Sequence, residues 1–360
     1  MSMQCSRRRL LQAAGAGLLL QVPLFRATPS IADESPLPTN PDLRRSTVSL
    51  IQGEDRRKNV YDALLAIDDQ IRPRLQRKKY VVIKPNNVST SKPLASTHAD
   101  TLRGIMDYLA PRFKGQVVIA ESSAEETLEG FESFQYPRLV TEYRAQNLRL
   151  IDLNQEARAE MISLIDADLH VVPARLAARL FDPEAFVISS SMLKTHDTVV
   201  ATMSVKNMCL GAPLHNAPKE SPEWNDKRKY HVGLRQTHYN IFLTAQKMQP
   251  NWGVALIDGF EGMEGRGPSR GTPVASRIAI ASTDFIAADR IALETMGINP
   301  EWVGYLNYCG QAGIGQYDLS KIDVHGPAIA TVRKAYQLAP DVQKQLQWMG
   351  PMKAVPPNLG

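Results

Sequence analysis

Two groups of polar residues lie close together near the middle of the chain, after a short apolar run. The first group is Lys194, Thr195 and His196. The second group, Lys206 and Asn207, begins ten positions after the histidine. Ammonium and amide groups hold carboxylates or phosphates through charge-assisted hydrogen bonds, whereas an imidazole transfers protons or binds a metal ion. We therefore predict that Lys194, His196 and Lys206 are catalytic and that Thr195 and Asn207 bind a ligand.

Other segments carry residues that would complete such a site. His98 is predicted as a further catalytic residue, because capping a helix does not require an imidazole. The remaining candidate ligand-binding residues are Lys84, Asn86, Asn87, Thr97, Ser122, Gly265 and Gly267. The candidate metal ligands are Glu121, His98, His196, Asp258 and Glu264. The sequence has no H-x-H, H-E-x-x-H or C-x-x-C spacing, so a metal site would have to be assembled from distant segments.

Simpler structural roles compete with several of these assignments. One alternative for Lys84 is a solvated strand end, and one for Thr97 is a helix N-cap. The alternative for residues 258–268 is a glycine-rich turn with solvated acidic side chains. His231 lies in a polar segment, where a surface position is favoured over a place in the site.

An alternation of strand and helix patterns must position the candidate residues. The predicted strands are Lys79–Ile83, Gln116–Ala120, Leu148–Leu153, Phe186–Ser189, Trp252–Ile257 and Arg277–Ala281. Segments with helical periodicity separate most of them, which predicts an α/β fold with a mostly parallel, helix-flanked sheet of Rossmann-like layering. Ligands of such sheets bind beyond the carboxyl ends of the strands, so we expect the candidate residues to meet there.

Several segments between these elements are predicted to be irregular. The strand that starts at Phe186 is expected to run into a ligand-facing loop at its serines, with Lys194 beyond the sheet. Residues 125–134 are predicted as an acidic, lid-like loop, residues 174–180 as a turn or short helix, and residues 215–235 as a long flap.

Motifs across most of the chain carry a resemblance to a known family. They are KTH at 194–196, SVKN at 204–207, VVIKPN at 81–86, THAD at 97–100, IAES at 119–122, LIDLN at 150–154, IDGFEGMEGRGP at 257–268 and ASTDFIAADRIALETMG at 281–297. In their order and spacing they resemble the domain-of-unknown-function family 362. The resemblance implies an architecture and a site, but no agreed reaction.

The first residues are predicted to be an export signal. Residues 6–11 read S-R-R-x-L-L, and an Ala/Gly-rich apolar run and an A-x-A-like cleavage site follow. We predict a twin-arginine signal peptide over residues 1–32 and therefore a periplasmic protein that the twin-arginine machinery exports in the folded state. The alternative is a basic amphipathic leader or an uncleaved anchor. After cleavage, no stable transmembrane span is expected.

The predicted domains follow from these boundaries. A linker over residues 33–45 leads to an α/β domain over residues 46–326, for which two halves joined near residues 155–185 are one option. A helical tail is predicted over residues 327–360.

Charge and cysteine content exclude some partners and cofactors. The formal charge of the chain is +5, but residues 1–32 contain four arginines and no acid, so cleavage would leave +1. A nearly neutral protein lacks the electrostatic footprint of a nucleic-acid binder. No iron-sulfur cluster is expected from this chain alone, because four thiolates are normally needed and only Cys209 and Cys309 remain after cleavage. These two cysteines are expected to be buried thiols, with a disulfide as the alternative.

The function indicated by these residues is that of a periplasmic enzyme that acts on a small anionic substrate, a carboxylate or a phosphate. A divalent metal is one candidate cofactor, and the sequence identifies no other. The alternative is a non-catalytic ligand-binding or redox-accessory protein with the same polar groups.

Overall fold

The computed structural model describes residues 45–216 and 221–350. The predicted signal peptide and the linker up to residue 44 lie outside the described residues, as do residues 217–220 and 351–360. The described residues belong to one compact unit.

Apolar and β-branched residues are frequent in the segments that form the strands. The strands are β1 (Ser46–Gln52), β2 (Tyr80–Lys84), β3 (Gln116–Glu121), β4 (Leu148–Asp152), β5 (Ala159–Ile165), β6 (Val171–Ala177), β7 (Ala185–His196), β8 (Val200–Thr202), β9 (Trp252–Glu264), β10 (Thr272–Val274), β11 (Ile278–Ser282) and β12 (Ile322–His325). The main sheet has the order β12-β1-β11-β9-β7-β2-β3-β4, with β10 paired to β9 and β8 paired to β7. Strands β9, β7, β2, β3 and β4 are parallel neighbours. The predicted α/β fold with a mostly parallel sheet is confirmed.

Helices cover both faces of this sheet. They are α1 (Arg56–Leu65), α2 (Asp68–Leu75), α3 (Ala99–Leu109), α4 (Thr127–Ser133), α5 (Tyr136–Glu142), α6 (Ser204–Gly211), α7 (Leu234–Met248), α8 (Phe285–Met296), α9 (Gly304–Gln311), α10 (Ile329–Val332) and α11 (Val342–Gln345). Among these helices, none has the length and apolar character that crossing a membrane requires.

Side-chain alternation along the strands divides the core into two layers. On β2, Val81 and Ile83 pack in the layer that contains apolar residues of α1 to α5, and Val82 packs in the layer that contains those of α6 to α9. We call these sides the α3 face and the α6 face. Because successive strand residues point to opposite faces, the side chains of two neighbouring residues in a strand lie in different layers.

The central strand β7 is longer than predicted. It continues through the three serines to His196, and all twelve of its residues are buried. The segment remains in the sheet, where most polar groups of the serines are hydrogen-bonded, although the Ser190 hydroxyl has no partner among the described residues. Ser191 Oγ donates to the Leu256 carbonyl oxygen at 3.1 Å, and the Ser190 carbonyl oxygen accepts from Thr97 Oγ1 at 2.9 Å. Lys194 therefore belongs to a strand and not to a loop beyond the sheet.

Three other segments also differ from the prediction. Most of the acidic segment 125–134 is helix α4, which forms because Phe131 and its neighbours bury one side of it. Residues 174–177 belong to β6, which pairs with β5 in a separate antiparallel hairpin within residues 155–185. The predicted flap contains a 3-10 turn at Asp226–Tyr230, anchored by the buried carboxylate of Asp226, which accepts from Arg175 Nε at 2.9 Å.

Candidate functional site

A cavity of about 420 Å³ lies at the carboxyl ends of β2, β3 and β7, beside α6. Its polar lining residues are Lys84, Asn86, Asn87, Glu121, Ser122, His196, Asp197, Thr198, Thr202, Lys206, Asn207, Asn225, Lys227, Arg228 and His231. The strands β3, β2 and β7 are parallel neighbours, so their ends lie side by side and bring distant parts of the sequence together.

Lys84 and Glu121 form a buried ion pair at this cavity. Lys84 Nζ lies 2.6 Å from Glu121 Oε1, and both residues are 1% exposed. Nζ also donates to the Pro85 carbonyl oxygen at 2.8 Å and to Asn207 Oδ1 at 3.0 Å, so its three hydrogens are all used. Burial lowers the pKa of Lys84, and the charge of Glu121 opposes this effect. This ammonium group is satisfied without a ligand.

A chain of amide side chains links the ion pair to Lys194. Asn86 Nδ2 donates to Asn207 Oδ1 at 3.1 Å, and Lys194 Nζ donates to Asn86 Oδ1. Lys194 also donates to the Ala95 carbonyl oxygen at 3.2 Å. Burial, followed by the charges of two neighbouring lysines, lowers the pKa of Lys194 to about 7. Lys194 lies behind the amides and does not line the cavity.

Helix α6 carries four cavity residues, Lys206, Asn207, Leu210 and Gly211, and its position is constrained near both ends. Asp289 of α8 accepts from the backbone N–H groups of Ser204 and Val205 at 2.8 and 3.0 Å. Since α6 has no side-chain cap of its own, this carboxylate supplies acceptors for amides that would otherwise be unpaired. Burial raises the pKa of Asp289 to about 7. At the other end, a Cβ on Gly211 would lie 2.1 Å from Lys84 Nζ, so a larger residue would require the Lys84 side chain to move.

Lys206 is an ammonium group without a partner. It is 7% exposed and lines the cavity, yet its Nζ has no hydrogen bond or ion pair within residues 45–216 and 221–350. Burial lowers the pKa of Lys206 to about 8, and the charge of Asp197 opposes this effect. Because Lys206 lines the cavity, an anionic ligand there can supply the acceptor that the described residues do not.

His196 presents a second unpaired donor. Its Nδ1 accepts from the backbone N–H of Thr198 at 2.9 Å. Burial, followed by the charge of Lys206, lowers the pKa of His196 well below its ordinary value, so the ring is neutral at neutral pH. With Nδ1 as an acceptor, the proton lies on Nε2, which has no partner in the described part of the chain. The ring can therefore donate one hydrogen bond to a ligand.

Comparisons with known proteins identify the family. The family model described as Domain of unknown function (DUF362) matches residues 81–294. The chain belongs to this family. All residues that line the cavity fall within the matched DUF362 segment. The comparison with curated proteins gives no match.

One solved structure is similar to this DUF362 protein. It is a crystal structure of a protein from Thermotoga maritima, a target of a structural genomics consortium, with 10% identity and a TM-score of 0.40. The alignment covers 73% of this chain and 59% of that chain, so this chain spans less than two thirds of that protein.

Cations at the cavity rim were missed by the sequence analysis. Lys227 and Arg228 come from the 3-10 turn of the predicted flap, and His231 follows it and is exposed. Lys227 Nζ donates to the Leu210 carbonyl oxygen at 3.2 Å, whereas Arg228 pairs with Glu223 at the surface. The polar flap could have indicated these residues, because a polar segment next to a predicted site can cover the strand ends and contribute side chains to the cavity.

Four predicted ligand-binding residues support the cavity wall and do not line it: Thr97, Thr195, Gly265 and Gly267. Thr97 Oγ1 accepts from the Asn86 N–H at 2.8 Å. Thr195 Oγ1 donates to the carbonyl oxygen of Gly265 at 2.9 Å, and the Gly267 carbonyl oxygen accepts from the Asp197 N–H at 2.9 Å. The other predicted ligand-binding residues, Lys84, Asn86, Asn87, Ser122 and Asn207, line the cavity.

His98 and Glu264 do not line the cavity, contrary to the expected convergence. His98 is the N-cap of α3, where its Nδ1 accepts from the Asp100 N–H at 3.1 Å. The imidazole thus performs the capping role that the sequence analysis set aside. Glu264 accepts from the Gln337 N–H at 2.8 Å, at the end of β9.

Asp258 lies on the other side of the sheet from Lys206. Its carboxylate accepts from Thr101 Oγ1 of α3 at 2.5 Å and lies 3.2 Å from Arg56 Nε of α1. Strand alternation explains the difference, because Ile257 points to the α6 face and the next residue points to the α3 face. The strand was predicted to end at Ile257, but it continues to Glu264, so Asp258 lies within β9 and not at its carboxyl end.

The predicted metal ligands are consequently not assembled. Among the described residues, the three side chains that could hold one ion together are Asp166, Asp168 and His170, at the turn of the β5–β6 hairpin. Of the five predicted ligands, Glu121 and His196 reach the cavity, and Glu121 is occupied by Lys84.

Proposed function

We propose that this DUF362 protein binds a small carboxylate or phosphate in the cavity and acts on it as an enzyme. The observation that carries the proposal is the buried ammonium group of Lys206, which lacks an acceptor among the described residues. An anion would provide that acceptor, and charge-assisted hydrogen bonds are stronger than neutral ones.

The charges around the cavity support the sign of the ligand. Four cationic side chains, Lys84, Lys206, Lys227 and Arg228, and two carboxylates, Glu121 and Asp197, line the cavity. Glu121 neutralises the first lysine, whereas Asp197 is shared with Arg270, which lies 3.7 Å away. Lys206 and Lys227 have no carboxylate partner among the described residues. Burial lowers the pKa of Lys227 to about 7, so its charged fraction depends on the pH near neutrality. A low dielectric strengthens the attraction of the charged amines for an anion.

A neutral donor would orient the ligand beside these cations. The Nε2–H of His196 has no partner among the described residues, because Nδ1 is the atom that accepts from Thr198. It can donate to an oxygen atom of a carboxylate or a phosphate. A directional donor beside a cation would hold a small anion in one orientation, which catalysis requires.

We further propose that residues 1–32 direct the folded protein to the periplasm by the twin-arginine route. The support is the S-R-R-x-L-L sequence with its apolar run and cleavage site. The substrate would then be a small anion available outside the cytoplasm.

Titration calorimetry tests the anion site, with inorganic phosphate and acetate as probes. The Lys206→Met substitution should weaken binding by about tenfold to a hundredfold, since a hydrogen bond to a charged group contributes about 1.5–3 kcal/mol. Lys114→Gln, at an exposed lysine on the opposite layer, is the control and should bind like the wild type. Equal binding by wild type and Lys206→Met would reject the site.

Turnover assays separate an enzyme from a ligand-binding protein. The exported protein would be incubated with phosphate esters and carboxylic acids, and products would be followed by mass spectrometry. A ligand that binds and is recovered unchanged across the whole panel would favour the binding protein.

A further inference from the structure

We propose that the Lys206 amine forms an imine with a carbonyl group of the anion that the cavity binds. The ligand would then be an anionic aldehyde or ketone, such as an oxo acid or a phosphorylated carbonyl compound. This inference rests on the proposed function and goes beyond it by naming the reactive group of the ligand.

The hydrogen bonds of the three buried lysines point to Lys206 as the nucleophile. Imine formation needs a neutral amine whose lone pair can reach the ligand. Lys84 Nζ donates its three hydrogens to Glu121, Pro85 and Asn207. Lys194 lies behind an amide, outside the cavity. Lys206 alone among the three lines the cavity with an Nζ that has no acceptor in the described residues.

The surroundings of Lys206 give it a larger fraction of neutral amine than an ordinary lysine has. The titratable groups that interact with it come from every neighbouring element: Lys84, Lys194, His196, Asp197, Cys209, Lys227, His231 and His238. Burial lowers the pKa of Lys206 to about 8, so a larger share of the amine is unprotonated near neutral pH than for an ordinary lysine. Asp197 acts in the opposite sense and keeps part of the population charged.

The reaction balances without a further reagent. The Nζ–carbon bond forms, the carbon–oxygen bond of the carbonyl breaks, and the oxygen leaves as water with two hydrogens from the nitrogen. Starting from the ammonium form, the product is the protonated iminium. The Nε2–H of His196 would polarise the carbonyl oxygen, and Lys227 at the rim would hold the anionic end.

Reductive trapping tests the imine in the wild-type protein. Pyruvate and dihydroxyacetone phosphate would be added separately, each with borohydride, and peptide mapping would locate the reduced adduct. The expected result is an adduct on Lys206 with at least one probe, lost in Lys206→Arg and retained in Lys114→Gln.

The hydroxyl analogues lactate and glycerol 3-phosphate distinguish the two possible failures. If an analogue binds but its carbonyl counterpart gives no adduct on Lys206, the imine is rejected and the anion site stands. If neither the analogues nor the carbonyl probes bind, both proposals are rejected.

A second measurement does not depend on the choice of ligand. Competitive labelling with traces of acetic anhydride, read by mass spectrometry across a pH series, reports the titration of each lysine amine. Labelling of Lys206 should rise with a midpoint near pH 8. A midpoint near the ordinary lysine value of 10.5, or no labelling, would overturn the proposed nucleophile.

Discussion

Three buried lysines around one cavity differ in what their ammonium groups contact. Lys84 has a carboxylate partner, Lys194 has two neutral acceptors and Lys206 has none in the described chain. The sequence analysis predicted all three, because a lysine near a strand end between apolar segments is unusual. It could not rank them, since pairing is decided by residues more than thirty positions away, as in Lys84 and Glu121.

The first prediction at this scale concerns the buried ion pair. Glu121→Gln removes the charge that compensates Lys84, and breaking such a pair typically costs about 3–5 kcal/mol. Urea unfolding should therefore show a lower free energy of unfolding by about that amount. Glu129→Gln, at an exposed glutamate of α4, is the control and should unfold like the wild type.

Removing both charges provides a further check on that explanation. The double substitution Lys84→Met with Glu121→Leu leaves no unpaired buried charge and should recover much of the lost stability. If Glu121→Gln unfolds at the same urea concentration as the wild type, the pair does not stabilise the fold.

A second residue-scale prediction concerns Gly211, whose missing side chain makes room for Lys84. In Gly211→Ala the new Cβ would overlap the ammonium group and push it from its acceptors, which we expect to cost about 1–3 kcal/mol. Gly130→Ala in α4 is the matched helical control, because its Cβ would meet only a threonine methyl group at 3.2 Å. Thermal unfolding of both variants measures the difference, and a Gly211→Ala protein as stable as the control would contradict it.

At the scale of elements, the strand and helix order was predictable and the length of β7 was not. Apolar runs and helical periodicity identify a parallel, helix-flanked sheet because each pattern is local. Three consecutive serines also form a local pattern, and that pattern favours a turn. They remain in the strand because β2 and β9 enclose them on both sides. The Ser189 hydroxyl donates to the Ser204 carbonyl oxygen of α6, and the Ser191 hydroxyl donates to the Leu256 carbonyl oxygen of β9.

The position of α6 depends on a residue of another helix, and this gives a prediction with a pH dependence. Burial raises the folded-state pKa of Asp289 to about 7, so the folded protein keeps this proton after the unfolded chain has lost it near its ordinary value of 3.8. The stabilising contribution is complete below about pH 4 and is lost as the pH rises to about 7. Relative to Asp289→Asn, which does not titrate, wild-type stability should fall between pH 5 and 7 by up to about 1.4 kcal/mol per pH unit.

Asp289→Ala is the matched control for this titration. It also lacks the carboxyl group, so its stability should follow the same pH course as that of Asp289→Asn. It should be less stable at every pH, because the backbone amides of Ser204 and Val205 lose both acceptors. Wild-type and Asp289→Asn unfolding curves that stay parallel from pH 5 to 7 would contradict the assignment.

At the scale of the molecule, the sheet brings together the ends of β2, β3 and β7 but separates its two faces. The sequence analysis placed Lys84, Asn86, Glu121, His196 and Lys206 at one edge, and the parallel order of the strands accounts for that success. The prediction failed for Asp258, because β9 continues to Glu264 and leaves Asp258 within the strand, on the α3 face. The residues of the DUF362 motifs therefore lie in two places: some line the cavity, and others lie on the α3 face.

The last prediction concerns the export of the whole chain. If residues 1–32 act as a twin-arginine signal, the conservative substitution of Arg7 and Arg8 by lysine should keep the protein in the cytoplasm, because the route depends on the arginine pair and not on charge alone. Cell fractionation of the full-length chain, followed by intact-mass measurement of the periplasmic form, reads both location and cleavage. Arg26→Lys is the control, since it changes an arginine beyond the pair and should leave export unchanged. Equal periplasmic amounts of the double variant and the wild type would rule out this route.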